Sequence, residues 1–189
     1  MPGMAPIGEH GLGVIQDNVR VDYEGMAKTL DIIYSNIESG EFGSTDPRDY
    51  FDALAWHPYF AVQQPDGSWV WQVPDDRWVE LNKLVYSVAE KHGDSGIGCY
   101  FTEFGFNDFG DANIDESLCE HVLAGMRMVR EKLPFVQSVH AYRMFEHLDT
   151  QDSIDNYAYF HADNGNVYPK QRAYALQRAY GGNRPLRKG

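Results

Sequence analysis

The sequence predicts a parallel α/β protein. Three observations carry that expectation. Short apolar runs of strand length alternate with longer stretches whose apolar residues recur at helical spacing. The runs are apolar throughout, as strands are when both of their faces are covered. Polar residues gather immediately after each run, at the edge where parallel sheets build their sites.

The elements follow in order. In "VDYEGMAKTLDIIYSNIESG", Met26, Leu30, Ile33 and Ile37 share one helical face, and Gly40 ends the run. A polar loop, "GEFGSTDPRD", leads into "YFDALAWHPY", a strand with a polar-aromatic tip. The next stretch, "FAVQQPDGSWVWQVPDD", reads as a long loop with a "PDGS" turn and two tryptophans. A second helix sets Trp78, Leu81, Val85 and Val88 on one face and ends near His92 and Gly93. "GIGCYFTEF" is the second strand. "NIDE", from Asn113 to Glu116, has capping-box spacing ahead of a helix carrying Leu118, Val122, Val129 and Leu133, and Pro134 closes it. "VQSVHAYRMF" is the third strand. "HADNGN" reads as a hairpin turn rather than a metal loop, and a last helix with Ala173, Leu176 and Tyr180 ends at two glycines. The 189 residues form one domain without internal repeats.

Composition narrows the function. A formal charge of -12 speaks against nucleic acid, which is bound through clustered Lys and Arg, and against an anionic membrane surface. No run of apolar residues is long enough to span a bilayer. The opening "MPGMAPIGEHGLG" lacks the basic and apolar regions of a signal peptide, which leaves localisation unassigned. Cys99 and Cys119 have neither disulfide-framework nor zinc-ligand spacing, and "HLDTQDSIDN" lacks the spacing of a calcium loop. No metal or cofactor is assigned. Aromatic residues make up 14% of the chain, which suits either a sugar-binding surface or a densely packed core.

The polar residues at the strand ends are His57 and Tyr59, then Glu103 and Asn107, then Arg143, Glu146 and His147. Glu103 leads, because a carboxylate among Phe101, Phe104 and Phe106 is partly desolvated and needs donors to stay ionised. A loop glutamate bound to a backbone N–H or an arginine is the structural alternative. His57 and Tyr59 are the donors nearest in kind, or else parts of a turn set by Pro58. Trp69 and Trp71 lie two apart in an extended stretch and either form one stacking platform or cover the sheet end.

Three segments in this order, "DYFDALAWHPY", "YFTEFGF" and "VYPKQRAYALQ", resemble the later strands of retaining glycoside hydrolases of the large TIM-barrel clan, cellulase-like and β-xylosidase-like. The resemblance implies a partial (β/α)8 barrel, approximately strands 5–8 with their helices, in which residues 1–20 are the remnant of strand 5 and its loop. It implies Glu103 as the nucleophile. His57 and Tyr59 would fix its geometry and ionisation or touch the substrate, an oligo- or polysaccharide, and Asn107, Trp69 and Trp71 are the other expected substrate contacts. Tyr142 would stand near the place of the aromatic residue that follows the eighth strand. The family's acid/base glutamate ends the fourth strand within "NEP", which this chain lacks. A full barrel takes about 250 residues. The expectation is therefore a fragment, the C-terminal half of a barrel, that lacks its acid/base group and is inactive alone; a chain that pairs with an N-terminal half or with itself, and a stable remnant without catalysis, are the other outcomes. A non-catalytic carbohydrate-binding or assembly protein on the same fold is the alternative.

Overall fold

A computed structural model describes residues 18–146 and 156–182. The expected strand-5 remnant up to residue 17, and the segment 147–155 with His147, lie outside the described residues. Helix α1, Asn18–Glu38, begins within the stretch expected to be loop up to residue 20.

The core of the fold is a parallel sheet of three strands, β1 (Ala53–Trp56), β4 (Gly98–Phe104) and β5 (Val136–Ala141), in the order β1-β4-β5. Helix α2 (Asp76–Lys91) connects β1 to β4, and helix α3 (Ala112–Lys132) connects β4 to β5. Helix α4 (Gln171–Ala179) follows the last strands, and α1 packs on α2, α2 on α3 and α3 on α4. The mixed α/β architecture and all four helices agree with the periodicity of the sequence.

Strand pairing sets one face of the sheet against the helices. Leu54 pairs with Cys99 and Trp56 with Phe101, and all four are buried. Trp78 of α2 meets the Phe101 ring at 6.0 Å, and the Trp56 indole donates to Asn82 of α2 at 2.8 Å. Each large side chain buried there is worth about 1.5–3 kcal/mol over an exposed one. On the opposite face, Thr102 of β4 and His140 of β5 are exposed. The second face is less closely covered among the described residues, since Ala55 is buried there while Thr102 and His140 are not, where the apolar runs implied two covered faces. Small and polar residues at Ala53, Thr102, Ser138 and His140 make this face tolerable.

Local chemistry corrects several expectations. The stretch 60–75 is not a plain loop, since it carries the antiparallel hairpin β2 (Ala61–Gln63) and β3 (Trp69–Trp71) around the "PDGS" turn. Helix α3 is capped by Asp111, whose carboxylate accepts from the Asn113 N–H at 2.8 Å, so Asn113 lies inside the helix and not at its cap. Tyr180 is 59% exposed at the end of α4, off the buried face. The "HADNGN" hairpin forms as expected between β6 (Phe160–Asp163) and β7 (Asn166–Pro169), with Asn164 and Gly165 both in the left-handed region that such a turn requires.

Candidate active site

Glu103 sits at the C-terminal end of β4, the central strand, and a bulge decides where it points. Phe101 pairs with Val139 and Phe104 with Ala141, so β4 advances by three residues while β5 advances by two. Strict alternation would place Glu103 on the helix side with Phe101 and turn Phe104 away. The extra residue reverses this. Phe104 is buried against Trp78, with ring centroids 6.3 Å apart, and against the glycine surface of Gly125 in α3. Glu103 is freed to the strand tip, where its side chain is 30% exposed.

One donor and one nearby imidazole converge on a single oxygen of Glu103. The Tyr59 hydroxyl donates to Oε2 at 2.7 Å, and His57 Nδ1 stands 3.2 Å from the same atom, off the line of a good hydrogen bond. No donor among the described residues binds Oε1, so one oxygen is anchored and the other is available. Burial first, and then the Glu103 carboxylate, push the Tyr59 phenol far above the ordinary tyrosine range, which keeps it a proton donor.

The "HPY" segment is itself held from behind. The Trp78 indole donates to the Pro58 carbonyl at 2.9 Å, and the Tyr23 hydroxyl of α1 donates to the Tyr59 carbonyl at 3.3 Å. Asn82 completes this buried set, accepting from Trp56 and donating to the Trp78 carbonyl, each at 2.8 Å. Helix residues chosen for burial therefore fix the backbone that presents His57 and Tyr59. Such support narrows the positions open to both side chains.

An aromatic wall runs on from Tyr59. Its ring lies 6.0 Å from Trp71 and 6.1 Å from Tyr157, and Tyr157 lies 6.0 Å from Trp71 and 5.7 Å from Tyr142. The Trp71 indole donates to the Asn107 carbonyl at 2.9 Å, which ties the β2–β3 hairpin to the loop after β4. Trp69 differs: it is 37% exposed and joins none of these ring pairs, so the two tryptophans do not share one packed surface. The structure thus gathers Glu103, His57, Tyr59, Trp71, Asn107 and Tyr142 around one strand end and leaves Trp69 at the margin. Arg143 turns back on its own strand end, its Nε donating to the Phe145 carbonyl at 2.8 Å.

Close backbone approach holds the tips of β4 and β5 together. The Tyr142 N–H donates to the Phe104 carbonyl at 2.9 Å, and a Cβ on Gly105 would lie 1.8 Å from the Tyr142 carbonyl oxygen. Glycine at 105 is a packing requirement of the site.

Two groups escaped the sequence reading. Tyr157 sits in a polar stretch with no periodic signal around it, and only its neighbours in space give it a role. Arg172 is fully buried at the start of α4. Its signal was present, since it lies four residues before Leu176 on the apolar face of a helix, where an arginine is rarely buried without partners. Nearby, Glu146 accepts from the Ala162 N–H at 2.9 Å and lies 2.9 Å from Lys170 and 2.6 Å from His161. Burial opposes its charge, yet those three groups hold its carboxyl below the usual range, so Glu146 is an anchor for the β6–β7 hairpin. Comparisons with protein-family models, with curated proteins and with solved structures yield no match to this chain.

Proposed function

We propose that the chain is the C-terminal half of a retaining β-glycoside hydrolase barrel, with Glu103 as its nucleophile. The observation that carries this reading is the anchored carboxylate. Oε2 of Glu103 accepts from Tyr59 at the tip of the central strand with His57 3.2 Å away, and Oε1 has no donor among the described residues. In the first step Oε1 bonds to the anomeric carbon as the glycosidic C–O bond breaks. The leaving oxygen takes its proton from an acid/base carboxylate about 5–5.5 Å from Glu103. Water then releases the sugar and restores Glu103. Tyr59 orients the carboxylate with His57 beside it, while the Tyr59–Trp71–Tyr157 wall offers ring faces to a sugar.

The barrel part of the reading draws support from the sheet. Its strands are adjacent in sequence order, its helices pack in series on one face, and β1 and β5 each keep one edge outside this sheet. An open doubly wound sheet would carry helices on both faces. The partner implied is an N-terminal half-barrel that supplies the acid/base group.

A non-catalytic carbohydrate-binding role is the second reading, favoured by one observation. The rings of Tyr59, Trp71 and Tyr157 form a wall at the strand end without any second carboxylate among the described residues taking part in it.

The test is covalent trapping with a 2-deoxy-2-fluoro-β-glycosyl fluoride, whose fluoride departs without protonation and so needs no acid group. A mass increase on the peptide containing Glu103, lost in Glu103→Gln, is expected. Hydrolysis by this chain alone that persists in Glu103→Gln overturns the assignment, and sugar binding without trapping selects the second reading.

A further inference from the structure

We infer that Arg172 is a positioning residue for this site: its buried guanidinium holds the Phe106 carbonyl and the Asp108 carboxylate on either side of Asn107, and the backbone carbonyls on both sides of Tyr157, and so sets where these two residues stand beside Glu103. The inference rests on the Glu103 site described above, though its first test needs no substrate.

The contacts alternate along two separate segments. Arg172 Nη1 donates to the Phe106 carbonyl, and Nη2 donates to Asp108 Oδ2 at 2.5 Å, so both neighbours of Asn107 are gripped. Nη2 also donates to the carbonyls of Asn156 at 2.8 Å and Ala158 at 2.9 Å, gripping both neighbours of Tyr157. Two N–H groups thus serve three acceptors at Nη2, so at least one bond is shared. The two segments also bond directly, the Asp108 N–H donating to the Asn156 carbonyl at 2.9 Å. The Asn107 Oδ1 in turn accepts from the Phe109 N–H at 2.7 Å. The Asn107 carbonyl receives the Trp71 indole, so the placement reaches the third wall residue as well.

Arg172 is itself fixed from three directions. Its Nε stands 3.0 Å from Asp115 of α3, as an ion pair off the line of a good hydrogen bond. Asp115 also takes the first N–H of α4, that of Gln171, at 2.8 Å. The guanidinium lies 5.6 Å from the centre of the Tyr159 ring, and Lys170 shares Asp108 with it at 3.0 Å. Only a planar fork with five N–H groups reaches these acceptors together. A lysine ammonium in its place keeps the charge but has three donors at one point.

The experiment compares the indole ¹H–¹⁵N resonances of the 189-residue chain in wild type and Arg172→Lys, assigned with Trp→Phe variants. Trp71 reports the Asn107 carbonyl, whereas Trp56 and Trp78 donate to Asn82 and Pro58, away from Arg172. A displaced or broadened Trp71 resonance with Trp56 and Trp78 unmoved is the result expected. An unmoved Trp71 resonance, or a joint shift of all three, overturns the inference. Should Arg172→Lys not fold, Asp108→Asn takes its place under the same criteria. A second arm measures trapping of Glu103: Arg172→Lys slows it in wild type and slows it less in Tyr157→Ala, and an equal slowing in both backgrounds counts against positioning. Absence of trapping in wild type itself would fault the hydrolase reading and leave the resonance test standing.

Discussion

Replacing Gly105 with alanine tests whether the tips of β4 and β5 are held as tightly as the geometry demands. The added Cβ would lie 1.8 Å from the Tyr142 carbonyl oxygen and 3.0 Å from its carbon. The obstacle is backbone, so no rotamer change relieves it. Gly105 has no left-handed φ that alanine would resist, and the penalty is therefore steric. Ordinary contact requires the strand ends to part by roughly 1.5 Å. That breaks the 2.9 Å bond from the Tyr142 N–H to the Phe104 carbonyl. The lost bond costs about 1 kcal/mol and the overpacking about 1–3 kcal/mol, for a total of about 2–4 kcal/mol. In a chain of this size the melting temperature should fall by roughly 5–15 °C. Urea and thermal unfolding followed by circular dichroism measure it directly. A loss below about 0.5 kcal/mol, the range of neutral surface changes, would refute the steric argument and with it the close approach of the two strand ends.

Two further perturbations act on the frame. Gly25→Ala lies on the exposed face of α1 with no atom within 4 Å of the new Cβ, so it should raise stability by about 0.5–1 kcal/mol in the same unfolding assay. His92 stacks on Tyr34 of α1, and its two ring nitrogens each stand 2.7 Å from a carboxylate, Asp31 and Glu38. Burial works against its charge, but the two carboxylates prevail and raise its pKa above the ordinary histidine value. The sign follows from linkage: His92 contributes stability that is complete below about pH 6.5 and is lost as pH rises through the raised folded value. The stability difference between wild type and His92→Gln, from urea midpoints across pH 5–9, should therefore shrink toward alkaline pH, and a flat difference would contradict the clamp.

Much of the frame was legible in the residues because it depends on local period. Apolar spacing located the three parallel strands and all four helices, and the placement of polar residues after each run located the edge where Glu103, His57 and Tyr59 meet. Long-range register was not legible. A period of two assigns Glu103 to the same face as Phe101, and only the extra residue in β4 against β5 frees it. That bulge depends on which residues of a strand some 35 positions away lie alongside, and no local pattern records it. The same holds for Trp69 and Trp71, alike in sequence and separated by the packing of one hairpin. Arg172 carried a faint signal as a charge on an apolar helix face, but its acceptors come from segments 14–66 residues away. The sequence by itself determined an alternation of strands and helices and a carboxylate among aromatic residues at a strand tip, because burial and propensity act on neighbours. Tertiary structure alone decided which oxygen of that carboxylate is held and which is free, because hydrogen-bond geometry is set between residues that meet only when the chain has folded.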